Sequence, residues 1–166
     1  NVYVSFNVPQ PDSITMNVTI DSVDCYMGSN GSINLDNVSG GVGPYSFLWS
    51  NGQIDTLANN LSVGTYSVTV VDGNGCIDNT NSFDVYEPLE LVANITITTN
   101  YNGSYITCFN DSTGELTASA TGGTGSFNYL WSNGDITSFT DSLSAGIYSV
   151  IATDVNGCND STSITL

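Results

Sequence analysis

The sequence predicts an all-β protein made of tandem immunoglobulin-like β-sandwich repeats of about seven strands each. Three observations predict it. Short runs rich in Val, Ile, Thr and Tyr alternate with clusters of Gly, Asn, Asp and Ser, and almost no segment has a helical period. The segment "YSFLWSNGQIDTLANNLSVGTYSVTVVDGNGC" at 45–76 aligns without a gap on "FNYLWSNGDITSFTDSLSAGIYSVIATDVNGC" at 127–158, a module repeated at a period of 82. Hydrophobic residues make up 40% of the chain, with nine Tyr, six Phe and two Trp, so it folds despite a net charge of −16.

The repeat extends backwards through Gly40, Gly41 and Gly43 to Gly122, Gly123 and Gly125. Cys25 and Cys108, however, stand 83 apart, so the copies differ by one residue between cysteine and glycines. Gln10-Pro11 resembles Glu87-Pro88, yet Pro11 lies 14 residues before its cysteine and Pro88 lies 20 before its own, which places an insertion around "NYNGSY" at 100–105. The opening has neither a charged n-region nor an initiator Met and reads as an excerpt from something longer. The expected organisation is therefore residues 1–9 as the final strand of a preceding repeat, 10–87 as repeat one and 88–166 as repeat two. Strands are expected near 14–20, 31–38, 44–50, 53–60, 65–71 and 77–85, with counterparts in the second copy.

In the strand leading into "LWSNG", Tyr45, Phe47 and Trp49 share one face at period two, as do Phe127, Tyr129 and Trp131. Such a stripe is the core face of a sandwich strand, with Trp49 and Trp131 as anchors; a row of exposed aromatics for sugar stacking is the competing account. Asn51-Gly52 and Asn133-Gly134 then tolerate positive φ and close a tight turn. The pattern L-x-x-G-x-Y, ending on Tyr66 and Tyr148, reads as a tyrosine corner before strand F. Asp72 with Asn74, and Asp154 with Asn156, have the spacing that opens a Ca²⁺ loop, but the other ligands are missing and an Asx-stabilised turn explains the same letters. No cofactor is expected, Ca²⁺ being weakly supported.

Sixteen carboxylates with no Lys, Arg or His exclude whole classes of function. Imidazole bases, Schiff-base lysines, arginine clamps and a basic footprint for nucleic acid are all absent. No ion pair between side chains is possible. The charge repels nucleic acid and anionic membrane, favours divalent cations or neutral partners such as glycans, and no apolar run is long enough to span a bilayer. Two-carboxylate glycoside chemistry is still possible in principle, with Glu115 and Asp135 as candidates, yet nothing marks out a pair in a cleft. The chain is expected not to be an enzyme.

Four cysteines allow three pairings, and the repeat assigns Cys25 and Cys76 to the first module, Cys108 and Cys158 to the second. One disulfide per module is the simplest expectation and implies an oxidising compartment. Immunoglobulin topology, however, puts the end of strand A and the start of strand G at opposite ends of the sandwich. Either residues 21–30 fold back along the module, or the thiols are separate, or neighbouring repeats cross-link.

Taken together, G-G-x-x-P-Y-x-x-x-W-S-N-G from Gly40 to Gly52 and L-x-x-G-x-Y-x-V-x-V-x-D-x-N-G-C from Leu61 to Cys76 resemble the SprB repeat, Pro44 having no counterpart in the second copy. The resemblance covers both modules nearly end to end. It implies a repeat of a very large secreted surface adhesin of Bacteroidetes, of the kind serving gliding motility and exported by the type IX system, located extracellularly at the cell surface. It carries no catalytic residue. It also draws attention to the Asp-Ser/Thr-apolar or Thr triplets at Ser13, Ser22, Thr56, Ser112, Ser142 and Ser161, which that bacterial group O-glycosylates and which composition alone also produces. Expected partners are neighbouring repeats of the same chain, surface glycans or other filament subunits, with neither nucleic acid nor membrane insertion. A carbohydrate-binding module is the alternative, with Tyr101 and Tyr105 of the insertion as its exposed aromatics.

Overall fold

The structure, a computed structural model, describes residues 3–166, with Thr80 described for its backbone only. The chain divides into two compact units, the first taking the chain up to Val23 and Met27–Tyr86, the second Asp24–Tyr26 and Glu87–Leu166. All twelve described elements are strands.

Unit 1 contains β1 (Thr15–Asp21), β2 (Gly31–Ser39), β3 (Ser46–Trp49), β4 (Leu57–Leu61), β5 (Gly64–Val71) and β6 (Ile77–Val85). They form two antiparallel sheets of three strands, ordered β1-β2-β4 and β3-β5-β6. This is the immunoglobulin order A-B-E against C-F-G with strand D left out. About seven strands were expected per repeat; there are six, because β3 passes to β4 through a seven-residue connection too short to hold another strand.

That connection also trims the strand expected at 53–60. Residues 53–55 wrap over Trp49 instead of pairing with β2: the Trp49 amide donates to Gln53 O at 2.9 Å, and its indole N–H donates to Asp55 O at 2.9 Å. A buried indole needs an acceptor for its N–H, and this loop supplies it.

The core follows from alternation, broken on β4 by Asn60 at positive φ. Ile33 and Leu35 on β2, Ala58 and Leu61 on β4, and Val68 and Val70 on β5 point inwards and meet Trp49, Val23 and Val85. Tyr45, Phe47, Tyr66 and Phe83 pack around them. Burying one indole removes roughly 150–250 Å² from water, worth about 4–6 kcal/mol at ~25 cal/mol per Å². Trp49, 2% exposed, therefore dominates a small core.

Unit 2 repeats the plan with β7 (Val92–Ile97), β8 (Gly114–Thr121), β9 (Asn128–Trp131), β10 (Phe139–Leu143), β11 (Ile147–Thr153) and β12 (Asn159–Thr165). Its sheets are β7-β8-β10 and β9-β11-β12. Trp131 pairs with Val150 across β9 and β11, as Trp49 pairs with Val68 across β3 and β5. Leu116, Ala118, Leu143 and Val150 surround Trp131.

The one-residue offset between the copies has a structural cause. The β1–β2 register jumps from Asn17↔Asn37 to Val18↔Leu35, so Asp36 bulges out of β2. The β7–β8 ladder runs from Val92↔Thr121 to Ile97↔Leu116 without a break. A bulge adds one residue to one strand while keeping its inward face in register on both sides, and here it absorbs the extra residue of repeat one.

Residues 3–9 form no strand. The final strand expected over 1–9 is thus missing from its described part, residues 1 and 2 lying outside the described residues. A strand needs a neighbour for its N–H and C=O groups, and no ladder among the described residues includes this segment.

Candidate functional site

The cysteine pairing is the main correction. Cys25 bonds to Cys158, with S–S 2.03 Å and Cα–Cα 5.6 Å, while Cys76 and Cys108 are free and exposed. The bonds expected within each module, Cys25 to Cys76 and Cys108 to Cys158, do not form. In unit 1 the Val23 amide donates to Tyr86 O, so the chain leaving β1 lies beside the end of β6. Cys76 precedes the start of that nine-residue strand. Nine residues at ~3.3 Å each separate the two by about 30 Å, whereas a disulfide needs Cα atoms within about 7 Å. Of the three outcomes left open by the sequence, the cross-link between cysteines of different repeats is the one observed.

The bridge belongs to unit 2, which includes Asp24–Tyr26. Cys25 and Tyr26 of this three-residue finger line a groove together with Pro88, Leu91, Gly123, Cys158 and Asp160. The Asn156 side-chain amide donates to Asp24 O at 3.2 Å. Asp24 O also lies 3.2 Å from Cys158 Sγ, a contact only, since a disulfide sulfur has no proton to donate.

The turn carrying Cys158 is held by an aspartate. Asp154 is 3% exposed. Its Oδ1 accepts the amides of Asn156 at 3.0 Å and Cys158 at 2.9 Å, and its Oδ2 accepts that of Thr124 at 2.8 Å. Asp72 repeats the clamp, with Oδ1 on the amides of Asn74 at 2.9 Å and Cys76 at 2.7 Å and Oδ2 on that of Val42 at 2.9 Å. The Cys76 amide first, then Val42, Asn74 and the Cys76 thiol, hold the Asp72 carboxyl below its ordinary value, against a burial effect of opposite sign.

Glycine makes the clamp possible. Gly41 has φ 61°, and a Cβ there would sit 2.7 Å from Asp72 Oδ2. Gly123 has φ 56° and the same approach to Asp154 Oδ2, at 2.9 Å. Any side chain would therefore meet both a strained backbone and the carboxylate.

At Asp72, Asn74, Asp154 and Asn156 this is the Asx-stabilised turn that was set against a Ca²⁺ loop. Both carboxylates face amide hydrogens, whose positive ends repel a cation. Among the described residues, no group of three or more Asp, Glu or Cys is placed to hold a metal.

The other singled-out residues divide into frame and surface. Trp131 is 2% exposed, and its indole N–H donates to Thr137 O at 2.9 Å. Tyr66 and Tyr148 are half-buried and donate their phenol protons to Ser62 O at 3.1 Å and Ser144 O at 3.0 Å, each tying down the loop four residues upstream. Asp135 accepts from Asn133 Nδ2 at 2.9 Å and from the Thr140 hydroxyl, so it braces the Asn-Gly turn. Glu115 lies half-buried on β8. Ser13, Ser22, Thr56, Ser112, Ser142 and Ser161 are all exposed. The insertion folds into a small hairpin through the Tyr101↔Ser104 bridge, with Asn102 and Gly103 at positive φ, and exposes Tyr101 and Tyr105.

Asp24, whose carbonyl accepts from the Asn156 side-chain amide, had no signal in the sequence taken alone, and Asn156 was marked only as a turn or Ca²⁺-loop residue. The repetition of Asp-x-Asn-Gly-Cys at both turns is the trace that Asn156 leaves.

Compared with known proteins, the chain matches the family model of the SprB repeat over residues 13–54 and 104–136. No curated protein matches it by sequence. Among solved structures it is similar to the amphioxus IgVJ-C2 molecule, at 15% identity, 84% of this chain, 96% of that chain and a TM-score of 0.37. The fibronectin(III)-like modules of Clostridium thermocellum CbhA are similar at 18% identity, 90% of this chain, 94% of that chain and a TM-score of 0.29.

Proposed function

We propose that this chain, whose two repeats belong to the SprB repeat family, is a structural and adhesive module of a large extracellular surface protein and has no catalytic role. SprB repeats are repeat modules of Bacteroidetes surface adhesins; attachment or gliding is the finer role assigned to this chain. The observation that carries it is what the two copies share. The equivalent residues are the core tryptophans, the tyrosine corners and the aspartate clamps, and each maintains the sandwich. A scaffold copied for its frame, with its copies differing at the exposed hairpin of residues 100–105, fits a repetitive surface protein.

Microspheres coated with the chain, set against spheres coated with an equally acidic unrelated sandwich, test this under flow on glass and on polysaccharide films. Retention above the control is expected; equal detachment at every shear would remove the adhesive part. Release of sugar from a polysaccharide panel would remove the non-catalytic part. The exposed rings of Tyr101 and Tyr105 support a second reading, a carbohydrate-binding module. Glycan-array signal lost in Y101A and Y105A would favour it.

A further inference from the structure

Unit 1 contains a second groove of the kind that Cys25 helps to line in unit 2. Pro11, Ile14, Gly41, Cys76 and Asp78 line a groove of about 510 Å³ in unit 1, at the positions equivalent to Pro88, Leu91, Gly123, Cys158 and Asp160 in unit 2. The backbone agrees with the alignment. The Gly41 amide donates to Asp12 O at 2.7 Å where the Gly123 amide donates to Leu89 O at 2.9 Å. The clamped turn that presents Cys158 in unit 2 presents Cys76 here. The one difference in kind is that Cys25 and Tyr26 belong to the lining of the unit 2 groove.

The finger has a counterpart too. Cys108-Phe109 stands where repeat one has Cys25-Tyr26, and the residue two past each cysteine has positive φ, 56° at Met27 and 62° at Asn110. The Asp111 amide closes this second turn on Cys108 O at 3.0 Å. Cys108 is exposed and Phe109 is 94% exposed, an aromatic ring with no core to cover.

We propose that the Cys108 finger of one copy of this chain seats in the Cys76 groove of a second copy and forms a Cys108–Cys76 disulfide, joining copies head to tail. Phe109 takes the place of Tyr26 against Pro11 and Ile14. Asn74 donates to the carbonyl of Thr107 as Asn156 does to that of Asp24. Because groove and finger are different surfaces, the contact is heterologous and propagates into a chain of copies. The oxidant is a small-molecule disulfide such as oxidised glutathione. The Cys108 thiolate attacks it and releases one thiol, then the Cys76 thiolate attacks the mixed disulfide and releases the second. Two protein thiols and one disulfide thus become one protein disulfide and two small thiols. The proposal goes beyond the adhesive role and stands whether or not the chain adheres to anything.

The test uses C76S, which keeps only the finger thiol, and C108S, which keeps only the groove thiol, equilibrated together in a glutathione redox buffer. Non-reducing electrophoresis and peptide mass spectrometry read the products. An Asp- or Glu-specific protease replaces trypsin, since the chain has no Lys or Arg. Heterodimers joined Cys108 to Cys76 should outnumber homodimers by at least about tenfold, a docking preference absent from random collision. F109A in the C76S background should lower that ratio while the circular dichroism spectrum is unchanged. The unsubstituted chain should give a reducible ladder. A statistical 1:2:1 mixture, or an intramolecular Cys76–Cys108 bond in the unsubstituted monomer, would overturn the proposal.

Discussion

Pulling on the chain from its two ends distinguishes the observed disulfide from those expected within each module. Cys25 and Cys158 are 133 residues apart in sequence. With the bond intact, force unravels only the residues outside that loop, β1 and β12 among them, and the ten strands from β2 to β11 are shielded from tension. Reduction releases the loop, which at ~3.5 Å per residue adds about 470 Å of contour length. Bonds at Cys25–Cys76 and Cys108–Cys158 would instead release two loops of about 180 Å each on the same scale. Single-molecule force spectroscopy of the 166-residue chain, held by tags at its ends with and without a reductant, measures the difference. A gain of ~470 Å that requires the reductant is expected. Two gains near 180 Å, or full extension without any reductant, would refute the pairing and with it the distance argument along β6.

Removing a core anchor should be severe in either copy: W49A or W131A is expected to cost about 3–5 kcal/mol by urea unfolding, from lost burial and an unsatisfied loop carbonyl. Y66F, which deletes only the phenol bond to Ser62 O, should cost about 1 kcal/mol. Asp72 is held below its ordinary value near 3.8, so its contribution to stability is complete above that pH and is lost as pH falls through the lower folded value. The urea midpoint of unit 1 should therefore fall more steeply below pH 4 in the native chain than in D72N. Millimolar Ca²⁺, or its removal by chelator, should leave the melting temperature unchanged, and a shift of several degrees would show a cation site that the amide-facing carboxylates argue against.

The parts of the fold governed by local pattern were legible. Period-two alternation located the strands, and the Asn-Gly pairs located the turns, because side-chain direction and positive φ are decided within a few residues. The fold class followed, and with it the SprB resemblance. The missing strand D was not legible from the immunoglobulin comparison, although the segments themselves number six per repeat. The slip from 82 to 83 was visible, but its nature as a bulge at Asp36 depends on which residue of β1 lies opposite. Cysteine pairing was least accessible: equivalence between repeats identifies which residues correspond, whereas a disulfide depends on which residues meet. The length of β6 keeps Cys25 from Cys76, and that length enters only once the strand is placed beside Val23. The aspartate clamp was legible as an Asx turn in Asp-x-Asn-Gly-Cys, but its second oxygen, on the amides of Val42 and Thr124, depends on a loop 30 residues away.

The order in which the cysteines emerge gives the Cys25–Cys158 bond a meaning in time. As the chain leaves a ribosome, Cys25 appears first and its partner last of the four, after Cys76 and Cys108 have both been offered. Oxidation in order of appearance would link the wrong pair. The folded first sandwich puts Cys76 at the far end of β6 from Val23, so that pair does not meet, and the partner Cys25 has is the one that the Asp154 turn presents.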